Sequence, residues 1–283
     1  MKRVAVVSPV RKDVLCSKKY LCLSLFFGRD PRMGTLYLEV TAGLCNRLRA
    51  LVSGICWAEE VHRKLVVCWP DLKPECAASF SNLFDGTGLP DWIEINNRTL
   101  ATNVQVLSPA DAAIVFKSSE PILCIQSHEC FWPRDTDVRR AKWLTYLRLL
   151  KPSPEVTAVL ESWSTSIRPD SVAVHIRRTD NGKAIRLSPL EAFRVRVHAL
   201  PKHMFLLIFS DDEKAIDAMK SEFGYRVLAP ETIRERTSYQ GMIEATAVFF
   251  SLASKPLILG SANSSFSEIA RDYGNTVLEL VTT

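Results

Sequence analysis

The sequence predicts an α/β protein made of two Rossmann-like halves that face each other across a cleft. Three observations carry that prediction. In the second half, short apolar runs alternate with helical patterns, which implies a parallel sheet with helical crossovers. In the first half, a strand-like run, a glycine turn, an amphipathic helix and a second apolar run make one βαβ unit. In both halves the segments equipped for chemistry follow the apolar runs, at the strand ends where open α/β sheets bind ligands.

The elements follow in order. LYLEVT (36–41) reads as a strand. The helix after it carries Leu48, Leu51, Val52 and Ile55 at helical spacing, and KLVVCW (64–69) is the next strand. Residues 70–135 are irregular, with strand-like pieces at 104–107, 113–116 and 121–126. A helix is expected over 137–150, then a second with Ser153 as N-cap and Pro154 in its first position, running to about 167. Strands are expected at 171–177, 204–209, 225–228, 256–260 and 276–280. Between them fall four helices. One starts at Pro189, with Ser188 as N-cap and Glu191 closing a capping box. The next spans 212–223, with Ala215, Ile216, Met219 and Phe223 on one face and Gly224 as its stop. The last two span 238–253 and 265–273. The domains are therefore drawn as 34–167 and 168–283, after an N-terminal segment, 1–33, of uncertain role.

With 283 residues, 47% of them hydrophobic, the chain can bury a sizeable core. Its formal charge of +5 comes from 36 basic and 31 acidic residues spread along the chain. That excess suits a small anionic ligand and falls short of a nucleic-acid-binding signature. The run YLCLSLFF (20–27) behind Lys18 and Lys19 is far shorter than the ~20 residues of a membrane span, and it is short and late for a signal peptide. The reading is a soluble protein with no membrane span, cytoplasmic or in a secretory lumen. The eight cysteines include no CxxC pair, so free thiols are expected rather than a disulfide framework. Cys124, His128 and Cys130 lack the second half of a zinc pattern. Asp135-Thr136-Asp137 precedes a helix and is read as capping, so no metal site is assigned.

Four motifs carry chemistry. VAVHIRRTDN (172–181) is a strand ending in charge. Alternation points Ala173, His175 and Arg177 one way and Val172, Val174 and Ile176 the other. Arg177 can present its planar fork to phosphate oxygens, with Asp180 holding it or pairing with it outright. GLCNRLRA (43–50) is a glycine turn opening a helix, whose free N–H groups suit an anion; Gly43 shapes the turn and Asn46 stands at its mouth. IFSDDE (208–213) supplies Asp211 and Asp212, either of which can cap a helix or pair with Arg177 or Arg178. LGSANSSFSEIA (259–270) places Ser264, Ser265 and Ser267 in a turn suited to phosphate or sugar hydroxyls.

These four motifs, in this order, resemble those of the GT-B fucosyltransferase superfamily, which includes the α1,6-fucosyltransferases and protein O-fucosyltransferases. VHIRRTDN is similar to the H-x-R-R-x-D peptide of the α1,6 enzymes, and GSANSSFSEIA to their S-S-F-S turn; the match runs from residue 36 to the end. The resemblance implies a GT-B fold and an inverting, metal-independent transfer of fucose from GDP-fucose, the donor substrate, to a glycan or protein hydroxyl, with no cofactor. It implies that Arg177 and Asp180 are catalytic and that Arg177 binds the β-phosphate. His175 and Arg178 would help hold the donor, with Asp211 beside them; Ser264, Ser265, Phe266 and Ser267 would contact diphosphate or base, and Gly43 and Asn46 would reach the donor from the opposite domain.

Two positions depart from the family. NGKAIR (181–186) lacks the glutamate that some relatives carry after this peptide, and Val248 stands about where the family has an aspartate. Two alternatives fit the same motifs: a transferase for another nucleotide sugar, and a catalytically weak protein that binds nucleotide sugars or glycans. Asp180, Asp211 and Asp212 are poor general bases if arginines engage them. That leaves an acid of the first half, such as Glu39, Glu59 or Glu129, or a leaving diphosphate that itself takes the proton; the favoured reading has no dedicated base.

Overall fold

A computed structural model describes residues 34–71, 73–100, 118–165, 167–233, 235 and 237–283, together with the backbone of Gln105–Val106. The expected strand at 113–116 and the 1–33 segment lie outside these residues.

Strand β1 (Thr35–Val40) buries Leu36, Leu38 and Val40 completely. Helix α1 (Leu44–Glu60) follows and is buried nearly all round. It lies between the first sheet and helices α3 (Asp137–Leu149) and α9 (Ser265–Gly274), so both of its faces are covered. Gly54 permits the close approach to the sheet, since a Cβ there would stand 2.4 Å from Leu38 Cδ2. Strand β2 (Lys64–Cys68) completes the unit. Next come a one-turn helix α2 (Phe80–Leu83) capped by Ser79, β3 (Phe84–Asp85), β4 (Ile93–Asn96), β5 (Gln105–Val106) and β6 (Ile122–Ser127). The expectation of irregular structure before residue 104 therefore missed β4, which pairs with β2; its alternation of Ile93 and Ile95 with Glu94 and Asn96 spans four residues, too few to mark a strand by pattern alone. A short β7 (Lys151–Pro152) pairs with β3, and α4 (Pro154–Trp163) starts from its Ser153 cap as expected.

The second half runs β8 (Val172–Ile176), α5 (Gly182–Leu187), α6 (Leu190–His198), β9 (Leu206–Ser210), α7 (Glu213–Phe223), a 3-10 turn, β10 (Val227–Leu228), α8 (Tyr239–Ala253), β11 (Leu257–Ser261), α9 and β12 (Val277–Val281). Residues 182–187, to which the sequence pattern assigned no element, form α5, capped by the Asn181 side chain, which accepts from Ala184 N–H at 3.0 Å. Ser188 is not the cap of the next helix; its hydroxyl accepts from Ala262 N–H at 2.8 Å, Glu191 pairs with Arg194, and Pro189 takes the cap position without a side-chain bond.

Both large sheets are parallel throughout. Their strand orders are β4-β2-β1-β6-β5 and β10-β9-β8-β11-β12. Each order grows outward from its first strand and then reverses, so each sheet has a switch point: between β1 and β6 in the first, between β8 and β11 in the second. The strands of the first sheet all precede residue 168 and those of the second all follow it. One hydrophobic core nevertheless runs through both, joining Leu36, Leu48 and Trp57 to Ala173, Leu207, Phe209 and Ile258. Val172, Val174 and Ile176 face a separate cluster on the far side of the second sheet, as strand alternation requires. Polar ties add to the join: Arg134 is ion-paired with the buried Asp272 at 3.0 Å, and Arg148 donates to the Tyr273 and Asp272 carbonyls.

Among the described residues no helix is long and apolar enough to cross a membrane.

Candidate functional site

Both switch points open into one cavity of about 940 Å³. The turn after β1 and the start of α1 form one wall, with His128 from the end of β6 beside them. The residues after β8, β9 and β11 form the other.

His175 is the last inward-facing residue of β8 before the cavity. Its Nδ1 lies 2.8 Å from Ser267 Oγ, and its ring stacks on Phe266 with centroids 5.0 Å apart. Burial, and then the neighbouring Arg177 charge, push its pKa down to about 4, so the imidazole is neutral at ordinary pH. Arg177 follows. Its backbone N–H donates to Ser261 Oγ at 2.9 Å, and its guanidinium is ion-paired both to Asp180 and, at 3.0 Å, to Asp211. Asp211 also accepts from Arg178 N–H at 2.7 Å and from the Thr179 hydroxyl at 2.6 Å. One carboxylate thus fixes both the guanidinium and the backbone of the loop that carries it. The two aspartates divide their tasks, since Asp212 caps α7 through Lys214 N–H. The structure does not bring the Arg178 side chain to the cavity: it follows Arg177 at the strand end, and its Nη1 is buried without a hydrogen-bond partner among the described residues.

Two helix N-termini without a side-chain cap open into the cavity. Gly43 is the N-cap of α1 and Ser264 that of α9, and neither helix has a side-chain cap bond. By contrast, α2, α3, α4, α5, α7 and α8 are all capped by side chains. The uncapped ends leave first-turn N–H groups, at the positive poles of the helices, facing the site. Left-handed residues shape both turns, Ala42 (φ 62°) before α1 and Asn263 (φ 57°) before α9. The first turn is held by the buried Arg47, which donates to the Ala42 and Pro70 carbonyls at 2.9 and 2.6 Å and lies over the Trp69 ring. Asn46, Ser264, Ser265 and Phe266 line the cavity, and Ser267 lies behind His175.

Several lining residues were not singled out by the sequence. Arg49 lies inside the GLCNRLRA motif; helical phase is the signal that finds it, three residues after Asn46 and four after Cys45 on the same face. Glu75, Glu235 and Glu268 also line the cavity, brought there by loop geometry and by the first turn of α9. The acids of the first half proposed from sequence do not line it. Glu39 is buried, accepting from Leu100 N–H and Gln126; Glu59 pairs with Lys142; Glu129 lies outside the lining.

Other sequence features lie elsewhere. Thr136 caps α3, Asp135 pairs with Arg139, and neither aspartate of that stretch reaches the cavity. Among the described residues no three His, Cys, Asp or Glu side chains converge as metal ligands, and Cys45, Cys56, Cys68, Cys76, Cys124 and Cys130 are free thiols.

No family model matches this chain, and no curated protein matches it. Solved structures match its fold. The fucosyltransferase NodZ from Bradyrhizobium superposes with a TM-score of 0.59 at 17% identity, over 84% of this chain and 92% of that one. POFUT1 in complex with GDP-fucose matches with a TM-score of 0.58 at 13% identity, over 90% and 99% of the two chains. A GDP complex of Arabidopsis thaliana FUT1 matches with a TM-score of 0.61 at 13% identity, over 92% and 73%. The fold is therefore that of the GT-B fucosyltransferases.

Proposed function

We propose that this chain is a glycosyltransferase that moves fucose from GDP-fucose to a hydroxyl of a glycan or protein, with inversion and without a metal. One observation carries the reading: a guanidinium clamped by two carboxylates faces two uncapped helix N-termini across a single cavity. That arrangement suits a diphosphate. The similar solved structures with GDP and GDP-fucose support the choice of donor.

In the proposed reaction the bond between the sugar's anomeric carbon and the β-phosphate oxygen breaks while an acceptor hydroxyl oxygen bonds to that carbon from the opposite face. Negative charge grows on the departing oxygen. Arg177 is fixed before the reaction, so its donors need little reorganisation to meet that charge. His175 stays neutral and, stacked on Phe266, shapes the floor. Arg178 acts through its backbone N–H, which helps Asp211 hold the loop. Asp180 and Asp211 are occupied by Arg177, so departure of the diphosphate leads and the leaving group takes the acceptor's proton.

Turnover with a panel of GDP-, UDP- and dTDP-sugars tests the reading. GDP-fucose should be the preferred donor, whereas preference for another nucleotide sugar, or binding without turnover, would support one of the alternatives.

A further inference from the structure

Among the described residues two arginines line the cavity, and they are compensated unequally. Arg177 is paired with two carboxylates, a net negative cluster before any ligand arrives. Arg49 is held differently. Its Nε donates to the His128 carbonyl at 3.1 Å, and among the described residues its Nη groups have neither an ion-pair nor a hydrogen-bond partner. The carbonyl takes one edge of the guanidinium and orients the plane, leaving the Nη1/Nη2 edge free to donate as a fork. Arg49 and Arg177 line the same cavity as Cys45 in the first turn of α1, and the Cys45 thiol feels the charge of both, so both guanidiniums lie near that uncapped helix end. An oxyanion there gains more from a cation without a counter-ion than from one whose charge two aspartates already offset.

We infer that Arg49 is a second anchor for the donor's diphosphate, acting from the first-half wall and supplying the uncompensated positive charge that Arg177 lacks. The inference rests on the nucleotide-sugar reading above. An anionic group on the acceptor would offer the same fork the same chemistry, and donor binding measured without acceptor separates the two.

The test is titration of the full chain with GDP and with guanosine, for wild type and for Arg49→Gln and Arg49→Lys. Glutamine keeps an amide donor for the His128 carbonyl, and thermal melting checks the fold of each variant. GDP binding by the wild type comes first; its absence overturns the donor reading and this inference together. With wild-type binding in hand, Arg49→Gln should weaken GDP about 10- to 100-fold and leave guanosine within about twofold, with partial recovery in Arg49→Lys. Equal GDP affinity in wild type and Arg49→Gln overturns the inference and leaves the donor reading standing. An equal loss for GDP and guanosine also overturns it, since that marks a role through the fold. A defect confined to the acceptor KM does so too, and assigns the fork to an acidic acceptor.

Discussion

Arg177 Nη1 lies 3.0 Å from Asp211 Oδ2, an ion pair between the loops that leave two neighbouring strands. Asp211 is largely buried and also accepts from the loop's backbone, so the pair sets the height and plane of the guanidinium over the cavity. Asp180, more exposed, closes the other side.

Arg177→Ala should therefore lower kcat/KM by roughly 10²–10³, about 2.7–4 kcal/mol. Arg177→Lys should fail as well, because an ammonium cannot reproduce the planar fork. Steady-state kinetics with the best donor checks both, and near-normal turnover by Arg177→Ala removes this residue from the chemistry.

Asp180→Asn should act mainly through donor affinity, because Asp180 holds Arg177. Glu75→Gln and Glu268→Gln should keep most of their turnover if diphosphate departure leads. Collapse of kcat in any one of the three, with unchanged GDP affinity and loss of the acidic limb of the pH–rate profile, would identify that residue as a general base.

His175 gives the stability curve a definite sign. Its folded pKa of about 4 lies below the ordinary value of 6.5 because burial, then Arg177, disfavours the imidazolium. Between those values the unfolded chain binds more protons, so His175 favours unfolding increasingly as pH falls from about 6.5 to about 4. The full effect is on the order of 3 kcal/mol. Denaturant titrations across that range should show a shallower loss in His175→Gln than in wild type, and parallel curves would contradict a buried neutral imidazole.

Gly260→Ala should distort the site from behind. A Cβ at Gly260 would lie 2.8 Å from Ser267 Cβ and Oγ and 2.9 Å from Leu278 Cδ1. Overpacking of this kind costs about 1–3 kcal/mol, and displacement of Ser267 loosens the bond that holds His175. Thermal melting should show a lower Tm together with weaker GDP binding; an unchanged Tm would mean that the helix shifts freely.

The parts of this molecule legible in the sequence were those with a strong local period. Val172–Ile176 and the face of Ala215, Ile216, Met219 and Phe223 are examples, and in the structure both are buried as alternation and helical phase require. The strand Ile93–Asn96 does alternate apolar and polar residues, but it is four residues long and half-buried throughout, too short a run to stand out between its loops. The His175–Arg177–Asp211 group was legible because consecutive strand ends of a parallel sheet meet at one edge. What sequence could not resolve was which of Asp211 and Asp212 pairs and which caps, a matter of one residue's phase at the strand end. Arg49 and Glu75 depend on tertiary placement of α1 and of the loop after Trp69, so their approach to the cavity has no local signature.

The central claim is that the cavity binds a guanosine diphosphate sugar and turns it over without metal. Among the described residues two arginines and five carboxylates line the cavity, so chelation tests whether a cation accompanies the diphosphate. The most direct test is donor consumption with GDP-fucose, UDP-sugars and dTDP-sugars in the presence of a mixed glycan and peptide acceptor panel, with and without excess chelator. The account predicts GDP release and fucosylated product from GDP-fucose alone, at the same rate with chelator present. Preference for a UDP- or dTDP-sugar, or activity abolished by chelator and restored by magnesium or manganese, would contradict it.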